Sequence, residues 1–150
     1  MTLKNACAGL PVLVFLVAAG CDTTEVGVEI DKPVVVTAMS PAAGSVDVPL
    51  DTNVTVTFSE DIDEATLTGT SFYVEGPAGV VSASISYDQA TYTATLTPDA
   101  LLGYSWDCTV RISTEVRAVE DGQAVSQAVA NPFRTVDPPP LRVASVSPAP

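Results

Sequence analysis

Short runs of strictly alternating residues constrain the fold of this chain more than any other feature of its sequence. The clearest run is VTVTF, in which Val54, Val56 and Phe58 face one side and two threonines face the other. The same period of two recurs in ASISY and TYTATLT, and Gly, Pro, Asp and Asn separate the runs. Because Val and Thr favour strands and no long helical repeat occurs, the pattern predicts an all-β domain.

About seven strands are predicted, which is the number that a two-sheet antiparallel sandwich of roughly a hundred residues requires. The predicted strands are Val34–Met39, Asn53–Ser59, Ser71–Glu75, Val80–Tyr87, Tyr92–Thr97, Ser105–Ser113 and an interrupted Gln123–Val136. Between the second and third strands, EDIDEATLT at Glu60–Thr68 departs from strand periodicity. This segment predicts one helical turn that crosses between the sheets.

The first twenty residues predict a secretory signal peptide, because Lys4 precedes a short apolar run, Leu10–Ala19. That run is too short to span a membrane, which takes roughly twenty apolar residues. It ends in VAAGC at Val17–Cys21, which resembles the lipobox of bacterial lipoproteins. By that resemblance Cys21 becomes the first residue of the mature protein and carries lipid. An ordinary cleaved signal followed by a coincidental cysteine is the alternative.

A lipidated Cys21 makes the membrane the first expected partner of this chain, since several acyl chains on one residue anchor stably. Residues 21–33 are polar and without periodicity, and predict a flexible tether. The expected location is a bacterial cell envelope, with the outer membrane or cell surface favoured. Asp22 resembles the retention signal of some Gram-negative bacteria, which leaves the inner membrane as an alternative.

The formal charge of −12 argues against nucleic acid as a partner, because such a surface repels phosphate. Of three cysteines, Cys7 leaves with the signal and Cys21 takes the lipid, so Cys108 has no intramolecular partner. It lies in an alternating run and is most simply a small buried apolar residue.

The chain changes character after Val136, where DPPPLR at Asp137–Arg142 predicts an extended, semi-rigid spacer. VASVSPA at Val143–Ala149 then repeats VTAMSPA at Val36–Ala42, with Ser147 standing 107 residues after Ser40. Residues 137–150 therefore predict a proline-rich linker and the opening strand of a second, incomplete repeat. A short coincidence in a Ser/Pro/Ala-rich tail is the alternative.

The order of these features over residues 34–136 resembles the bacterial immunoglobulin-like domains of S-layer and other cell-surface proteins. The segments that carry the resemblance are SPAAGSVDVPLDTNVTVTFSEDIDEATL at Ser40–Leu67, VSASISYDQATYTATLTPDALL at Val81–Leu102 and NPFRT at Asn131–Thr135. The resemblance implies an immunoglobulin-like sandwich. Where the family usually has a tyrosine after its Leu-Thr-Pro segment, this chain has Trp106, which cannot form the hydrogen bond of a tyrosine corner.

Trp106 is accordingly predicted to be the aromatic centre of the core, with Cys108, Val110 and Phe58 among its neighbours. The predicted core set is Phe58, Trp106, Cys108 and Val110.

Catalytic chemistry is poorly supported, because the chain has no histidine, no phosphate-binding glycine loop and no cysteine pair. We expect no enzymatic activity and no cofactor. The one acidic cluster, Glu60, Asp61, Asp63 and Glu64, supplies weak candidates for calcium ligands, but it lacks the spacing of an EF-hand loop. Acidic residues also suit the first turn of a helix, so a solvated structural turn is the preferred interpretation.

The expected function is that of a non-enzymatic, lipid-anchored spacer, scaffold or adhesion module of the cell envelope. Other envelope proteins or polysaccharide are expected partners. A module that binds calcium, carbohydrate or protein is the first alternative, and an accessory domain of a larger surface enzyme is the second. Fold resemblance alone cannot choose among them.

Overall fold

Nine strands form two sheets in the computed structural model, which describes residues 32–142. The strands are β1 (Val36–Ser40), β2 (Ser45–Val48), β3 (Val54–Phe58), β4 (Phe72–Gly76), β5 (Gly79–Val80), β6 (Ala83–Asp88), β7 (Thr93–Pro98), β8 (Asp107–Ile112) and β9 (Val129–Thr135). One sheet has the order β1-β3-β7-β6 and the other β2-β9-β8-β4-β5. The predicted all-β, two-sheet sandwich is confirmed.

The strand count and one pairing differ from the prediction. The predicted strand Val80–Tyr87 is divided between β5 and β6, which belong to different sheets. β2 was not expected, and it pairs in parallel with β9, so the sandwich is not wholly antiparallel. Asp47, in the middle of β2, has a φ of 57°, and across this left-handed residue the burial is irregular, since Val48 is buried and Val46 is exposed.

The core lies between the two sheets and is built by the alternating faces of the central strands. In β3 the three residues Val54, Val56 and Phe58 are buried, as the alternation predicted, while the threonines between them are partly exposed. Phe72 of β4 faces them and is completely buried. The other large, fully buried side chains come from all parts of the sandwich: Ile62, Leu96, Ile112, Val34, Val74, Val110, Val116, Thr135 and Cys108.

The crossing between the sheets contains the predicted helical turn. It is a 3₁₀ helix at Glu64–Thr66, which lies between β3 of one sheet and β4 of the other. The Asp63 side chain caps it by accepting a hydrogen bond from the Ala65 N–H at 3.0 Å. The turn is therefore stabilised by an acidic residue at its start, and it carries no buried side chain.

The chain reaches the sandwich at one end and leaves it at the other. Val34 pairs with Val125 beside the crossing segment, and this end is called the proximal end. β9 then runs the length of the sandwich, and the chain leaves after Val136 at the opposite, distal end, which also carries the β4–β5 turn and the loop 99–106.

Candidate functional site

At the proximal end, Asp61 of the acidic cluster is used to join three elements. Its carboxylate accepts hydrogen bonds from the Tyr87 hydroxyl at 2.9 Å and from the Gln89 amide, and its carbonyl accepts one from the Val119 N–H at 3.0 Å. Tyr87 in turn accepts a hydrogen bond from the Ile62 N–H at 2.8 Å. The carboxylate therefore fastens the β6–β7 hairpin to the crossing segment.

The other three acidic residues do not converge on Asp61. Asp63 caps the 3₁₀ helix, Glu64 is exposed, and the Glu60 Oε1 atom is buried without a hydrogen-bond partner. Between residues 32 and 142, no three acidic, cysteine or histidine side chains come together as a metal site. The calcium candidates therefore remain a prediction without a geometry to support it.

The pKa of the Tyr87 hydroxyl is raised to about 12, chiefly by burial and in addition by the adjacent Asp61 carboxylate. The hydrogen bond that the hydroxyl accepts from the Ile62 N–H acts against this shift. Tyr87 thus stays protonated and keeps donating to Asp61 at every physiological pH.

At the distal end, an apolar cleft of about 190 Å³ opens between the β4–β5 turn and the loop 99–106. Its walls are Val80, Val81, Leu101, Leu102 and Trp106. Leu102 is buried, whereas Leu101 is 69% exposed and Val80 is 63% exposed. Exposed apolar side chains beside a half-buried tryptophan are a common composition for a binding surface.

Trp106 occupies the edge of the core, which corrects the prediction that it forms the aromatic centre. It is partly exposed, and its ring packs against Gly76, Val81 and Gly103 at the distal end. The strand alternation does not reach Trp106, because β8 begins at Asp107 and Ser105 has a φ of 55°. The buried aromatic residues of the described core are Phe58, Phe72 and Phe133 instead.

Thr135 takes the place of a tyrosine corner and was missed in the sequence. Its buried hydroxyl accepts a hydrogen bond from the Trp106 N–H at 2.8 Å and donates one to the Gly103 carbonyl at 2.7 Å. The only signal for this role was its position in the closing Phe-Thr pair of β9.

A second, more polar cleft lies on the other side of Leu101. It is lined by Leu50, Asp51, Asn53, Thr97 and Pro98, and it shares Asp99, Ala100 and Leu101 with the apolar cleft. The distal end therefore offers an apolar pocket next to an acidic one.

The chain leaves the sandwich beside this site. The Ser105 N–H donates to the Val136 carbonyl at 3.0 Å, and the Ser105 hydroxyl donates to the Asp137 carboxylate. Arg134 lies 3.7 Å from the same carboxylate. Asp137, the residue before the three prolines, is thus held next to Trp106.

Three of the four predicted core residues are buried. Phe58, Cys108 and Val110 lie between the sheets with at most 2% exposure. Burial raises the pKa of the Cys108 thiol, and the neighbouring Asp107 adds to the effect. This places Cys108 among the inert, structural cysteines.

Cys21, its signal sequence, most of the tether and the repeated segment at Val143–Ala149 lie outside the described residues. Within residues 32–142, no helix is long and apolar enough to cross a bilayer.

The sequence profile of the bacterial Ig-like domain matches residues 30–135. Among solved structures, the chain is similar to surface layer protein SbsC, domains 1–6, at 19% identity and a TM-score of 0.52, over 74% of this chain and 15% of that one. The N-terminal part of the bacterial S-layer protein SbsC is similar at 20% identity and a TM-score of 0.52, over 73% of this chain and 25% of that one. The chain is also similar to the native conformation of E. coli alpha-2-macroglobulin, at 19% identity and a TM-score of 0.54, over 71% of this chain and 6% of that one.

At these identities the likeness shows the fold alone, and the chain spans a quarter or less of each of those proteins. No curated protein matches the chain significantly by sequence.

Proposed function

Because the chain belongs to the family of bacterial Ig-like domains, we propose that it is a non-enzymatic spacer or scaffold module, held by lipid on Cys21 in a bacterial cell envelope. The family and the surface-layer structures support a location at the cell surface and a structural or accessory role.

The opposite positions of the two chain connections carry the proposal. The tether meets the sandwich at Val34 and the proline-rich linker leaves at Asp137, at the other end. β9 alone has seven residues, and a strand of that length spans about 23 Å. A domain connected in this way adds its length to the distance between the anchor and whatever follows Asp137.

The anchor is argued from the sequence. A single basic residue, a short apolar run and the small residues before Cys21 are the arrangement of a lipoprotein signal. The mature protein would begin at Cys21, and residues 21–33 would link lipid to domain. We favour the outer membrane or cell surface, with the inner membrane as the alternative suggested by Asp22.

Metabolic labelling tests the anchor. Cells that express the chain with labelled palmitate should label the wild type and leave Cys21→Ser unlabelled. The wild type should fractionate with membranes and Cys21→Ser should be released. Equal labelling of both proteins would show that Cys21 does not carry the lipid. Equal release of both from the membrane fraction would show that Cys21 does not anchor the chain.

A ligand-binding module is the second candidate, and the apolar cleft at the distal end favours it. Val80 and Leu101 are exposed around Trp106. A protein or carbohydrate partner could bind to such an apolar cleft, whereas a spacer does not need one. If the domain is instead an accessory domain of a larger surface enzyme that follows the linker, the distal end is the end that would face the catalytic domain.

A further inference from the structure

We propose that the distal clefts of one copy bind Leu141 and Arg142 of a second copy, and that two chains exchange these residues reciprocally. Leu141 would fill the apolar cleft beside Trp106, and Arg142 would pair with Asp99 in the acidic cleft. The proposal needs the sandwich and the linker only, and it does not depend on the lipid anchor.

The two clefts together define the chemistry of the occupant. The apolar cleft has Val80, Val81 and Trp106 as walls, and its lining and volume of about 190 Å³ suit one branched aliphatic side chain. The acidic cleft, which adjoins the apolar one at Leu101, presents the exposed carboxylates of Asp51 and Asp99. A segment with an apolar residue directly beside a basic one would satisfy both clefts at once.

Leu141–Arg142 is such a segment, and both of its residues are exposed. The Leu141 side chain is fully exposed, which is unfavourable for an isolated leucine. Arg142 is the only basic residue after Arg134 in an acidic chain. Charge complementarity therefore points to this segment as the occupant of a site whose rim is acidic.

The linker geometry favours exchange between copies over folding back onto the same copy. Asp137 is fixed beside Trp106 by Ser105, and three prolines separate it from Leu141. Prolines hold an extended conformation that rises about 3.1 Å per residue, so the segment is carried away from its own cleft. Two copies related by a two-fold axis can each receive the segment of the other, which closes the assembly as a dimer.

Sedimentation equilibrium of the chain from Asp22 to Pro150 tests the exchange. Every residue of the hydrophobic core lies within Val34–Phe133, so this chain keeps the whole folded unit. We expect a reversible dimer at high protein concentration. Trp106 is the only tryptophan, so acrylamide quenching of its fluorescence reports on the cleft and should fall as the dimer forms.

Variants at exposed positions of the linker and of the cleft separate this exchange from other kinds of association, since none of the positions belongs to the buried core. Leu141→Ser should weaken dimerisation about tenfold or more, since it removes one buried leucine from each half of the interface. Asp99→Arg and Arg142→Asp should each weaken it, and the double variant should recover it. Circular dichroism and thermal melting verify that each variant is folded.

Three results would overturn the proposal. One is a monomer at every concentration up to the millimolar range. Another is a dimer that Leu141→Ser leaves unchanged. The third is a monomer in which Leu141→Ser increases the quenching of Trp106, because this would show that the segment occupies the cleft of its own copy.

Discussion

The indole ring of Trp106 lies directly against the backbone of Gly103, so closely that a single added carbon at Gly103 would overlap the ring. The Thr135 hydroxyl, on β9, forms hydrogen bonds with the backbone of both residues and so stabilises this arrangement. The position of the Trp106 ring in the distal cleft thus depends on the absence of a side chain at Gly103.

Gly103→Ala should destabilise the domain by about 1–3 kcal/mol, the usual cost of overpacking a well-filled site. The indole would have to move, so its emission and its quenching by acrylamide should change as well. Urea unfolding measures the first effect and fluorescence the second. Gly69→Ala is the matched control, since its added carbon meets no atom within 4 Å. Equal stability of both variants would show that Trp106 does not rest on Gly103.

Phe72→Ala should cost more stability than Trp106→Ala. Phe72 is fully buried, and removal of such a ring costs about 3–5 kcal/mol from lost transfer energy and the cavity left behind. Trp106 has open space on its cleft side, so its removal forfeits fewer contacts. Denaturant unfolding of the two variants ranks them. A larger loss for Trp106→Ala would restore the sequence-based view of it as the centre of the core.

The contrast between Trp106 and Val56 explains how far the sequence alone could predict this structure. Val56 sits inside an uninterrupted alternation, and in such a run one buried face fixes the orientation of every residue. Trp106 precedes its strand, and the left-handed Ser105 next to it breaks the period. Periodicity predicts the interior of a strand but not the residue just outside its end.

The candidate sites were harder to predict for a related reason. The acidic residues were visible in the sequence, but their roles depend on tertiary partners such as Tyr87, 26 residues from Asp61. The distal cleft unites Val80 and Leu101 with Trp106, and no local pattern places these three segments together. β2 was not predicted because it has only four residues and pairs with a strand far along the chain.

Asp61→Ala should destabilise the domain whether or not calcium is present. The variant leaves the Tyr87 hydroxyl without its acceptor, at a cost of about 1–3 kcal/mol. Glu64→Gln, an exposed member of the same cluster, should melt like the wild type. The wild-type melting temperature should agree between millimolar calcium and chelator, because a bound ion would raise it. A rise with calcium that both variants abolish would instead establish a calcium site.

Tyr87→Phe should flatten the loss of stability at alkaline pH. The pKa of Tyr87 is raised to about 12 in the folded chain, against about 10 for an unfolded tyrosine. The stability that this group contributes is therefore complete below about pH 10 and is lost as the pH rises through about 12. Urea unfolding between pH 8 and pH 12 should show a shallower decline for Tyr87→Phe, from a lower starting value. An unchanged slope would mean that Tyr87 ionises equally in both states.

The spacer account predicts which end of the sandwich lies nearer the membrane, and this can be measured in vesicles that carry the lipidated protein. Glu120→Cys at the proximal end and Ala78→Cys at the distal end place a thiol at exposed positions. Cys108 is buried with a raised thiol pKa and should not compete for the label. Energy transfer from a fluorophore at each position to acceptors on the lipid headgroups then compares the two distances. We predict clearly stronger transfer from position 120 than from position 78. Equal transfer, or stronger transfer from position 78, would contradict the proposal that the domain holds its distal end away from the membrane.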